Sequence, residues 1–77
     1  MQEAGLSKDI LIVVLNEIEE EIRNDGICSK EKAQLWHQLG AIHGLMGDHP
    51  LQKIAWEEAK KLDPKNQMIL SSLKSLT

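Results

Sequence analysis

Three histidines, one cysteine and a small cluster of acids are the residues of this chain that could do chemistry. They fall at His37, His43, His49, Cys28 and Asp48, and the densest stretch is WHQLGAIHGLMGDH, residues 36–49. Two histidines with an acid beside the second could form a metal or acid–base site. A shared site needs ligands on one face, and the histidines recur every six residues. On a helix that spacing turns successive rings away from one another, so no metal triad is expected. The only cysteine, Cys28, excludes an intrachain disulfide and nearly excludes a thiolate metal site. It reads instead as a small, semi-buried apolar residue of a reducing compartment. No Ser–His–acid or Cys–His arrangement and no glycine-rich phosphate loop is present. The sequence therefore predicts no enzyme, no cofactor and no metal.

The elements that hold these residues read as helices throughout. The chain has 77 residues, enough for one domain with a modest core, and 42% of them are hydrophobic. Two Trp are its only aromatics beside the histidines, so the core must rest on aliphatic side chains. Apolar residues at Ile10/Leu11, Val14/Leu15, Ile18 and Ile22 recur at three- and four-residue steps, with Ser7 as a cap and Gly26 free for a positive φ. A second helix starts at a Ser29 cap with Glu31 in its first turn and runs to Gly47. Asp48 or His49 caps a third, which begins with Pro50, pairs Glu57 with Lys61, and stops before Pro64. Asp63 and Pro64 restart the chain as cap and first residue of a fourth. The expected helices span 7–24, 30–46, 50–62 and 65–76. Trp36, Leu39, Ile42, Ala55, Trp56, Ala59 and Leu62 are the expected core of the central hairpin.

Charge narrows the partners. Residues 1–28 carry a net −5 and residues 29–77 a net +2, within a total of −3. No stretch can neutralise a row of phosphates, so nucleic acid is not an expected partner. No run of 18 apolar residues exists and the start lacks a signal-peptide order, so no membrane span is expected and the predicted location is cytoplasmic. ILIVVL, residues 10–15, is apolar on every side and carries more apolar surface than the internal stripe uses. Ile12 and Val13 are left over, and the sequence offers them to a second copy or a protein partner.

Trp36, Leu39, Gly40, His43, Trp56, Ala59 and Pro64 together have the order and spacing of a tetratricopeptide repeat. Residues 33–66 resemble one such repeat. His43 stands where the family prefers Tyr, and Gln52 where it prefers Ala, which predicts a slight change of register or crossing angle. No second repeat is visible 34 residues upstream. The resemblance implies an all-α, right-handed array of about four helices in a single domain, 1–77. Its parts would be a divergent N-terminal helix (1–28), one helical hairpin (29–64) and a capping helix (65–77). It also implies a non-catalytic adaptor or scaffold whose concave face shows Gln34, His37, Gln38, Ala41 and Leu45. Family members that clamp chaperone tails place Lys, Asn and Arg there. None of these stands at the matching positions, so chaperone C-terminal tails are not an expected ligand. The other readings left open are a self-associating helical protein and a terminal piece of a larger repeat protein.

Overall fold

The computed structural model describes residues 8–76, and among these all regular structure is helical. Four helices follow in order: α1 (Lys8–Ile22), α2 (Ser29–Leu45), α3 (His49–Leu62) and α4 (Gln67–Lys74). Each packs on its neighbour in the chain, α1 on α2, α2 on α3 and α3 on α4. The result is a slab of 43 × 32 × 17 Å, about two helix layers thick. No described helix is long and apolar enough to cross a membrane.

The helix ends follow from local chemistry, and here several sequence expectations need correction. The Ser7 cap lies outside the described residues. Gly26 does not take a positive φ; its amide instead donates to the Asn24 side chain at 2.9 Å, which turns the chain without a left-handed residue. Cys28, not Ser29, is the N-cap of α2, and it gives no side-chain cap to the backbone. Its thiol is exposed rather than semi-buried. At the other end of α2, Gly47 adopts φ 82°. Its amide donates to Gly44 and that of Asp48 to His43, at 3.0 and 2.8 Å. These two bonds close a left-handed cap that only glycine enters without strain. The fourth helix is capped by Asn66, not by Asp63 with Pro64. The Asn66 side-chain oxygen accepts from the amides of Met68 and Ile69 at 2.9 and 3.3 Å. An Asn satisfies two orphan amides at once, so the helix waits for it. Lys61 pairs with Glu58 at 3.1 Å, not with Glu57.

The core has two parts. Leu11 and Ile18 of α1 meet Leu39 and Ile42 of α2, with Val14, Leu15 and Ile22 packed around them. Ala33, Ala59 and Ile69 join α2, α3 and α4. Trp36 packs against both clusters and ties them together. Of the expected hairpin core, Leu39, Ile42, Ala55, Trp56 and Ala59 are buried, while Trp36 and Leu62 are half-buried.

Between α2 and α3 the backbones come close at Gly40. A Cβ there would overlap the Trp56 indole and lie 3.1 Å from the Gln52 carbonyl. The indole cannot swing away freely. Its Nε1 donates to the His37 carbonyl at 2.9 Å, and its ring stacks on the His37 imidazole at 5.3 Å. Gly44, one turn on, makes room for the amide end of Gln52. The residue standing in place of the small one at position 52 is thus matched by a second glycine across the seam.

Candidate protein-binding surface

The three histidines end in three different places. His37 is half-buried; its ring stacks on Trp56, and its Nε2 shares a 2.7 Å hydrogen bond with the Ser72 hydroxyl of α4. Burial holds its pKa below the ordinary 6.5. His49 is exposed at the start of α3, with Nδ1 3.4 Å from the Gln52 side-chain oxygen. His43 is only 8% exposed, and its Nδ1 is buried with no hydrogen-bond partner. By burial it is a core histidine, with one ring nitrogen left without a local partner. Among the described residues no three His, Cys, Asp or Glu gather as a ligand set for a metal ion.

Of the residues the sequence assigned to a concave face, Gln34, Gln38, Ala41 and Leu45 are all exposed. They recur at steps of four, three and four, so they form one row along α2. Leu45, at its end, is 69% exposed. His37 lies beside the row but turns inward to Trp56 and Ser72, so it walls the surface rather than reaching out of it. Gln34, His37 and Gln38 also form one side of a depression of about 240 Å³ whose other side is Asn66, Met68 and Ile69. Sequence reasoning missed Met68, an exposed apolar residue of α4. Its signal was an apolar residue off the Ile69/Leu73 stripe.

Ile12 and Val13 are exposed, at 45% and 56%. They do not share a face, because consecutive helical residues stand about 100° apart. Ile12 falls in line with Glu19 and Arg23, seven and eleven residues on, whereas Val13 falls in line with Glu20 and Asn24. The difference matters because Glu19 and Arg23 line a groove. This groove, about 420 Å³, has Glu19 and Ile22 of α1 and Arg23 just beyond it on one wall, and Leu51, Ile54 and Ala55 of α3 on the other. Trp36, Leu39 and His43 of α2 form its floor. It opens because α1 and α3 both pack on α2 and hardly touch each other. Leu51 and Ile54 recur with Ala55, Ala59 and Leu62 at helical spacing, a pattern that reads as core, yet they are 42% and 53% exposed.

The chain matches no family profile, no curated protein and no solved structure.

Proposed function

We propose that the chain is a non-catalytic protein-interaction module of the tetratricopeptide type, acting as an adaptor or scaffold. The observation that carries this reading is the row Gln34, Gln38, Ala41 and Leu45, which stays exposed although α1 and α3 both pack on α2. A row of two amides, a methyl and an isobutyl group suits a neutral or apolar peptide segment. The amides offer donors and acceptors, and Leu45 and Met68 offer apolar contact. The helix-on-neighbour packing supports the same reading, since a stacked array leaves one side of each helix for recognition. The close approach of α3 to α2 at Gly40 supports it too, since a tight helical hairpin is the unit that such arrays stack.

A displayed random-peptide library tests it, selected against the protein and against a Gln38→Ala/Leu45→Asp variant. Both positions are exposed, so circular dichroism should be unchanged. Peptides enriched by the parent chain should lose about tenfold or more in affinity for the variant. Equal retention by both proteins would remove the row from the function.

A further inference from the structure

The α2 row meets α4 over the depression of about 240 Å³ bounded by Gln34, His37, Gln38, Asn66, Met68 and Ile69. We propose that this depression is a subsite for a carboxamide side chain, a glutamine or asparagine of the bound peptide. The proposal rests on the interaction-module reading and names one residue class that the peptide must carry.

Most hydrogen-bonding groups of the walls are already engaged. The His37 Nε2 shares its bond with the Ser72 hydroxyl. The Asn66 side-chain oxygen accepts from the amides of Met68 and Ile69, and its Nδ2 donates to Asp63 Oδ2 at 3.2 Å. Gln34 and Gln38 differ. Both are exposed, and their carboxamides have no partner among the described residues. They stand one turn apart on α2, a spacing that brings Cβ atoms within about 5–6 Å of each other. Each offers a donor and an acceptor, so one group placed between them can bond to both.

Charge and desolvation then select that group. No charged side chain lines this depression. Two adjoining depressions that share Gln34 do hold charges, Glu21 and Glu31 in one and Lys30, Asp63 and Lys65 in the other. A carboxylate or ammonium entering between α2 and α4 would lose water and find no opposite charge there. A purely aliphatic side chain would cover the two glutamines and leave their amides unpaired. A carboxamide avoids both costs. Its NH₂ and carbonyl answer the two glutamines, while its methylene stem lies against Met68, which is 59% exposed. His37 adds no charge near neutral pH, because burial lowers its pKa.

Peptides selected from the displayed library by the parent chain supply the probe, and they should converge on Gln or Asn at one position. A Gln there is replaced by Met, which keeps its length without its hydrogen bonds, and by Glu, which keeps its shape and adds charge. An Asn is replaced by Leu and by Asp. Fluorescence anisotropy with the full chain should show each replacement weakening binding about tenfold or more. A Gln34→Met/Gln38→Met variant should lose about as much for the carboxamide peptide and almost nothing further for its apolar replacement, because one contact is lost only once. Both positions are exposed, so circular dichroism should be unchanged. Peptides that lose affinity for Gln38→Ala/Leu45→Asp yet tolerate Met or Leu at every Gln and Asn overturn the inference and leave the row in its role. Peptides that bind that variant undiminished, or a selection that returns no binder, overturn both.

Discussion

Gly40 and Gly44 stand one turn apart on the same helix, yet the side chains facing them differ in freedom. A methyl at Gly40 meets an indole held by a hydrogen bond and a ring stack, and a backbone carbonyl behind it. A methyl at Gly44 meets the flexible end of the Gln52 side chain, held only by an exposed 3.4 Å contact with His49. Gly40→Ala should therefore destabilise by about 1–3 kcal/mol from overpacking, and Gly40→Leu by at least as much. Gly44→Ala should be near neutral, since Gln52 can rotate and the helix gains about 1 kcal/mol of propensity. Thermal melts of the variants decide it, and equal melting of Gly40→Ala and the parent would refute the tight seam. His37 provides a second residue-scale test. Its folded pKa is lowered by burial, so the unfolded chain binds the proton first as pH drops. The stabilisation is present above the ordinary value of 6.5 and is lost as pH falls below it toward the folded value. Between about pH 7.5 and about pH 5.5 the parent should lose more melting temperature than His37→Gln. An identical loss in both would show that the ring bonded to Ser72 does not sense pH. At this scale the close approach at Gly40 was legible, because a glycine inside a helix whose following helix carries Ala55 and Ala59 marks a place where two backbones can meet. It was read poorly for Asn66, Cys28 and Glu58, because caps and ion pairs depend on which rotamer and which turn the backbone offers.

The helices themselves were legible from periodicity, and their order and approximate extents follow from it. Burial on α1 matches the stripe Leu11, Val14/Leu15, Ile18 and Ile22. What periodicity could not supply is how α1 and α3 stand apart over α2, since that separation belongs to tertiary packing and not to either helix. The groove was invisible for that reason. The helical wheel of α1 now distinguishes two residues that the sequence treated as a pair. Ile12 stands on the flank of Glu19 and Arg23, and Val13 on the flank of Glu20 and Asn24. Because both side chains are exposed, Ile12→Asp and Val13→Asp should each leave the melting temperature and helical content near those of the parent, and a large loss in either would place that side chain in the core.

Across the whole molecule the stack has two unfinished sides, the row on α2 and the groove between α1 and α3. Small helical arrays of this kind gain stability from each neighbour contact, and an exposed apolar flank is where another helix or chain can add to the stack. Ile69 of α4, only 1% exposed, packs with Ala33 of α2 and Ala59 of α3. The tetratricopeptide resemblance pointed to the α2 row through Gln34, Gln38, Ala41 and Leu45, and their common exposure is what makes the row available. The most direct test of the interaction reading is amide chemical-shift mapping of the isotope-labelled chain, titrated with a peptide selected from the library. The account predicts shifts concentrated at Gln34, Gln38, Ala41, Leu45 and Met68. Shifts confined to the opposite exposed face of α3, at Lys53, Glu57 and Lys60, would contradict it.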